Sequence, residues 1–313
     1  MSDHFIAKGD QRDASIRAPG ETVVTWRVNG KPVPIGITRD GEGPTALLLP
    51  ALSSISTRQE MADLQARLAP HYATVSVDWP GFGRLPRPFI DWTPVMFDGF
   101  VEFVLREVAP APHLVVAAGH GAGYVARAFL RHPRLAERVI IVAPTWRGPL
   151  PTMMKGQRPW FAKLRRTMDR PRVGSLLYRA NMSAAIIRKM VREHVYEDPA
   201  FLTPERFAQK RAVTLEEGAR HGTARFVTGG LDPFTRREDM LSALGAFEGT
   251  LEIVYGASTP KGSKAEIEAM TALPAVEAHP LPHGKLLLHE EFAAEVADIV
   301  LAEAATGEDG RAR

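Results

Sequence analysis

Val115-Val116-Ala117-Ala118-Gly119-His120-Gly121-Ala122-Gly123-Tyr124-Val125-Ala126 is the stretch whose reading decides the fold. Its first four residues form an unbroken apolar run, as in a strand covered on both faces. After the last glycine, apolar residues continue in a helical pattern. Three glycines at alternate positions separate the two. A strand that turns directly into a helix brings two backbones too close for side chains, and glycine also tolerates a left-handed φ. The middle residue of such a turn is expected to stand strained and exposed above the sheet. Here it is Gly121, which carries no side chain and is expected to leave extra volume under a ligand.

Four further segments fall into place around this turn. Ala46-Leu47-Leu48-Leu49-Pro50-Ala51 is an apolar strand running into a loop, and Asp78-Trp79-Pro80-Gly81-Phe82-Gly83 is a glycine turn after another strand. Val139-Ile140-Ile141-Val142-Ala143-Pro144 is a third apolar strand. Leu281-Pro282-His283-Gly284-Lys285-Leu286-Leu287-Leu288-His289-Glu290-Glu291 closes the series. In this order, from about Thr22 to about Ala304, the chain resembles the α/β-hydrolase superfamily, and the opening stretch resembles its nucleophile elbow, G-x-S-x-G. The resemblance implies an α/β fold: a mostly parallel, doubly wound sheet with a helical cap inserted after the sixth strand. It implies a core of residues 21–146 and 225–304, a cap of 147–224, a mobile arm of 1–20 and a flexible tail of 305–313.

Three departures mark a divergent subgroup. Gly121 stands where the family carries Ser, Cys or Asp. Lys285 stands where the closing segment P-x-G-H-x-x-x-H-E-E carries its histidine, and Pro50-Ala51 replaces His-Gly.

Composition narrows the field. A chain of 313 residues accommodates one sizeable α/β domain with a cap. It has no cysteine, which rules out a disulfide framework, a thiolate nucleophile and a cysteine metal site, and a reducing cytoplasm is the plain expectation. A net charge of +3 does not argue for nucleic acid. No apolar run reaches the roughly 18 residues of a membrane span. Gly119-His120-Gly121-Ala122-Gly123 lacks the spacing and acidic residue of a dinucleotide fingerprint, no Walker loop is present, and no metal or other cofactor is expected.

The alternation of Glu21 to Val28, the turn Asn29-Gly30 and the run Val33 to Ile37 predict a hairpin, with the prolines favouring a sheet edge. Thr57 with Glu60 predicts a capping box at the head of a helix reaching Ala69. The expected cap is strongly basic in its first part, from Lys155 to Arg192. A solvated face is one reading of that charge. A surface for an anionic small molecule or an acidic membrane interface is the other.

Acyl transfer needs a nucleophile, a base and a group that orients the base. Gly121 cannot attack, and a protonated lysine only donates. What the resemblance leaves is a backbone oxyanion hole formed by the amides of Leu52 and Ala122, at a helix N-terminus that favours negative charge. Lys285 is expected either buried as a base or paired with an acid. Asp232, in Gly229-Gly230-Leu231-Asp232-Pro233, is the candidate acid or else a helix cap. Ser53 is expected to bind a ligand oxygen or to stabilise its loop, His120 to pack beside the elbow or join the site, and Trp146 to wall the pocket. The chemistry left open is attack on, or proton transfer at, a small, largely apolar carbonyl or ester-type compound. A binder that kept the pocket and lost the chemistry is the alternative.

Overall fold

The computed structural model describes residues 20–302. The expected arm before Gly20, residues 303 and 304 of the expected core, and the expected tail lie outside the described residues. Eight strands form one sheet: β1 (Glu21–Val28), β2 (Lys31–Asp40), β3 (Thr45–Leu49), β4 (Ala73–Val77), β5 (Leu114–Ala118), β6 (Arg138–Val142), β7 (Thr250–Gly256) and β8 (Val276–Leu281). Their order is β1-β2-β4-β3-β5-β6-β7-β8. From β4 to β8 every neighbour is parallel, while β1 and β2 join antiparallel.

The expected hairpin is present, with Val28 opposite Lys31. Asn29 and Gly30 both take positive φ, 50° and 76°, the two-residue turn whose twist matches its strands. β2 pairs with β4 only over Ile37–Asp40. Pro32 and Pro34 therefore lie where β2 has a neighbour on one side only, and their missing N–H groups break no second ladder.

β5 and β6 are buried at every position, which is why they read as unbroken apolar runs. Along the chain the helices are α1 (Ala62–Leu68), α2 (Pro94–Phe103), α3 (Gly121–Phe129), α4 (Pro149–Met153), α5 (Pro159–Asp169), α6 (Pro171–Asn181), α7 (Ala184–Met190), α8 (Pro204–Leu215), α9 (Ala219–Val227), α10 (Arg237–Leu244), α11 (Lys261–Thr271), α12 (Leu288–Glu291) and α13 (Ala293–Ala302). α4 to α9 form the helical insertion between β6 and β7. Four of its helices open on proline, whose fixed φ suits the first helical position and whose absent N–H would have no partner there.

One face of the sheet packs on Phe97 and Phe100 of α2, Tyr124 and Phe129 of α3, and Met240 of α10. The other packs on Leu64 and Leu68 of α1 and Val296 and Val300 of α13, and continues into Ile187, Tyr196 and Phe207 of the insertion. β3 lies between β4 and β5, so the chain leaves it toward one side and returns on the other. The C-terminal ends of β3 and β5 thus bound the crevice where open α/β sheets place ligands.

The capping box does not form. Thr57 caps its 3-10 turn by accepting from the Gln59 amide, while the Glu60 carboxylate turns inward to the Ala51 amide and His289. A buried imidazole and an unpaired loop amide outcompete a helix end that water can satisfy.

Candidate functional site

The glycine turn is crowded on every side. Gly119 has φ +52°, and a Cβ there would lie 3.0 Å from the Ala51 Cβ. A Cβ on Gly123 would meet Pro233 at 2.4 Å. These are the close approaches that the sequence pattern predicts.

The middle position differs from expectation. Gly121 is buried, and the expected free volume beside it is filled. A Cβ there would lie 2.8 Å from Cζ2 of Trp79 and 3.0 Å from the Pro50 carbonyl oxygen. Trp79 is held in place by its Nε1–H, which donates to that same carbonyl at 2.7 Å. Its indole also packs against Phe97, Phe100 and Tyr124. Aromatic burial of this kind fixes both position and tilt.

The residues expected to form the oxyanion hole and its loop lie in the same region. Leu52 and Ala122 are fully buried. The Ser53 hydroxyl is engaged within its own loop, 2.8 Å from the Ser56 hydroxyl and accepting from the Ile55 amide, which is the loop-stabilising arrangement. Trp146 is buried, donates to Glu266 at 3.2 Å and lies under the Arg147 guanidinium.

His120 and Asp232 do come together, on either side of Leu231. The His120 Nε2–H donates to the Leu231 carbonyl at 2.8 Å, as does the Tyr124 hydroxyl at 2.7 Å. His120 Nδ1 is therefore the bare nitrogen, buried and without a partner. Asp232 Oδ1 lies 3.9 Å from His120 Nε2 and accepts the Gly148 amide at 2.7 Å. Burial pushes the Asp232 carboxyl up to about 7, against the pull of that amide and of Arg147. Burial pushes His120 down to about 4. Folding thus inverts their usual order. The proton that sits on histidine in the open chain sits on aspartate in the fold, and both groups become neutral where charge is costly.

The pH dependence of stability follows. The native state holds the extra Asp232 proton between about 4 and 7, so this group lowers stability as pH rises through that window. The unfolded state holds the extra His120 proton between about 4 and 6.5, so this group raises stability with pH there. In the unmodified protein the two slopes offset. Asp232→Asn is expected to expose a rising slope, and His120→Gln a falling one, in urea midpoints followed across that window. Parallel profiles in the two variants would contradict the assignment.

Lys285 takes neither expected position. It is half-buried, and its Nζ donates to the Arg192 carbonyl at 2.7 Å. Residues Val191–Val195 form one π turn in which the Tyr196 amide bonds the Val191 carbonyl and leaves that of Arg192 free, while the carbonyls of His194 and Val195 at the helix end have no intrahelical partner. Lys285 and the amides of Leu286 and Leu287 take these three carbonyls, on Arg192, His194 and Val195. A cation at a helix C-terminus is favourable. Lys285 therefore ties the closing segment to the insertion, with Arg192 and not Asp232 as its partner. His283 likewise turns to Glu295 of α13, at 2.8 Å.

Sequence reasoning missed a buried polar cluster behind the loop that follows β3. Glu60 Oε1 accepts from the Ala51 amide at 2.6 Å and from His289 Nε2 at 2.9 Å. Its Oε2 lies 3.7 Å from Lys210, which also reaches Glu290 at 2.6 Å. The Tyr196 hydroxyl donates to Glu290 at 2.7 Å. Although burial pushes the Glu290 carboxyl up, Lys210 holds it below its ordinary value. His289-Glu290 was visible in the closing segment. Lys210 gave no signal, because its helix reads as an ordinary basic cap helix.

Among the described residues no helix is long and apolar enough to cross a membrane. No curated protein sequence matches the chain. Solved structures do. The haloalkane dehalogenase DatA from Agrobacterium tumefaciens C58 superposes with a TM-score of 0.68 at 15% identity, over 92% of this chain and 97% of that one. The Cif epoxide hydrolase from Acinetobacter nosocomialis gives 0.69 at 14%, over 92% and 90%. A putative ancestral haloalkane dehalogenase gives 0.67 at 18%, over 91% and 99%. Likeness at such identity speaks to the fold alone. The model of the Alpha/beta hydrolase family matches residues 46–299. A match of that extent takes in the β3 strand, the glycine turn, the insertion and the closing segment together, and the chain belongs to the alpha/beta hydrolase family.

Proposed function

We propose that this chain is a non-catalytic member of its family, a small-molecule binding or partner protein that keeps the hydrolase frame without its nucleophile. The observation that carries this reading is the Trp79 indole packed where a side chain at position 121 would stand. Two others support it. Lys285 is spent on the Arg192 carbonyl, and the loop after β7, where the family often carries its acid, reads Ala257-Ser258-Thr259-Pro260 and offers no carboxylate. On this reading the triad is degenerate at all three positions, and the setting is the cytoplasm, in keeping with a cysteine-free chain.

A second reading has one observation in its favour. The Asp232 carboxyl, at about 7, lies in the range suited to general acid–base work. In that case a small, largely apolar carbonyl or ester-type compound would be polarised by the Leu52 and Ala122 amides. Water or a proton transfer at Asp232 would replace a covalent step.

Turnover of a panel of activated short-chain and aromatic esters separates the two, assayed beside Asp232→Asn and Lys285→Ala. The first reading expects no release above that of heat-denatured protein. Turnover that Asp232→Asn abolishes supports the second. Turnover lost only in Lys285→Ala would sink both.

A further inference from the structure

We infer that the cleft between α7 and α8 is a binding site for an amphipathic carboxylate, a single apolar chain ending in a carboxyl group. None of its lining residues belongs to the glycine turn or the oxyanion loop, and the inference stands whether or not the protein is an enzyme.

The cleft, open to solvent on one side, has a volume of about 500 Å³. That is within the range of small-molecule pockets, which are mainly apolar with a few placed polar groups. Its accessible apolar surface comes from Pro199, Leu202, Pro204 and the rim of Phe207, over a floor of fully buried Val191 and Tyr196. The Tyr196 hydroxyl is turned away from the opening, onto Glu290.

Charge at the cleft is one-sided. Arg188 and Arg192 line it as exposed side chains. The Arg188 guanidinium lies 4.1 Å over the Phe207 ring, a stacking that holds its fork at the edge of the apolar surface. Among the described residues neither guanidinium is paired with a carboxylate. The nearby acids are engaged elsewhere. Glu193 lies 4.0 Å from Lys189 and 3.9 Å from His194. The Asp198 carboxylate accepts from the Ala200 amide, and Glu197 accepts from Ser258 and the Gly284 amide. Two free, planar, bidentate donors beside an aromatic and aliphatic surface match a carboxylate with an apolar tail.

The backbone at the cleft is also irregular. Val191 and Arg192 sit on the π turn Val191–Val195, and turns of this kind are frequent at functional sites. Lys285, Leu286 and Leu287 occupy the turn's carbonyls from behind.

The test is calorimetric titration of the purified full chain with sodium decanoate below its micelle concentration. Decan-1-ol serves as a neutral chain of equal length, and sodium butanoate as an equal charge with a short chain. Saturable decanoate binding at one per chain is expected, with decan-1-ol and butanoate each markedly weaker. In the double variant Arg188→Gln/Arg192→Gln, decanoate affinity is expected to fall roughly tenfold or more, as the loss of a charge-assisted hydrogen bond dictates. Leu202→Trp, which fills the cleft without touching charge, is expected to abolish binding. Unfolding midpoints near that of the unmodified protein establish that both variants fold. Absence of decanoate binding overturns the inference. So does decan-1-ol binding as tight as decanoate, or decanoate affinity unchanged in either variant.

Discussion

Gly121→Ser is expected to destabilise the protein by about 1–3 kcal/mol, the usual cost of forcing atoms into a packed core, and to confer no ester hydrolysis. A serine Cβ would lie 2.8 Å from Trp79 Cζ2 and 3.0 Å from the Pro50 carbonyl oxygen, so either the indole or the loop must move. Moving the indole strains its 2.7 Å hydrogen bond to Pro50 and its packing on Phe97, Phe100 and Tyr124. Moving the loop displaces Ala51, whose amide is held by Glu60 and whose Cβ faces Gly119. Neither route is soft. Urea unfolding checks the size, and an ester assay checks the silence. A stable, ester-cleaving Gly121→Ser variant would mean that the slot is open and only the nucleophile is missing.

Glu60→Ala is expected to cost more, about 3–5 kcal/mol, as when one partner of a buried charge pair is removed. Glu60 alone satisfies the Ala51 amide and His289 Nε2, and its second oxygen faces Lys210 at 3.7 Å. Truncation leaves a loop amide and an imidazole buried without partners, because His289 Nδ1 already has none. Lys210 retains Glu290, which limits the damage on that side. Glu60→Gln should fall between the two, since one carboxamide oxygen can still accept while its NH₂ must face the lysine. The expected reading is a lower denaturant midpoint with an unchanged slope. A loss within about 0.5 kcal/mol, the ordinary range for surface changes, would show that the cluster is not holding the loop after β3.

The frame of the fold was legible because local patterns and their order agree. β3, β5 and β6 are short apolar runs since they are covered on both faces, and Asn29-Gly30 turns the first hairpin because both residues must take positive φ. The site was legible as a turn and not as a volume. Trp79 reads as one residue in a glycine turn. Only the placement of β4 and β5 on either side of β3 brings its ring under a residue far along the chain. The capping-box pattern at Glu60 needs only local spacing, whereas its imidazole partner, His289, is 229 residues away. Lys285 was read from the position it fills in the closing segment. Its direction depends on a π turn in the insertion, and helical periodicity does not announce one. His120 and Asp232 were singled out separately. That folding moves a proton between them depends on their shared burial, which neither local sequence carries.

The claim that Trp79 occupies the place of a side chain at position 121 is tested most directly by the energetic coupling between the two positions. Unfolding free energies of Gly121→Ser, Trp79→Leu and the double variant close the cycle. With the indole gone the serine has room, so its cost in the Trp79→Leu background should fall by about 1 kcal/mol or more, well outside the roughly 0.3–0.5 kcal/mol scatter of independent sites. Costs that simply add would contradict the account and put the Trp79 ring elsewhere in the protein.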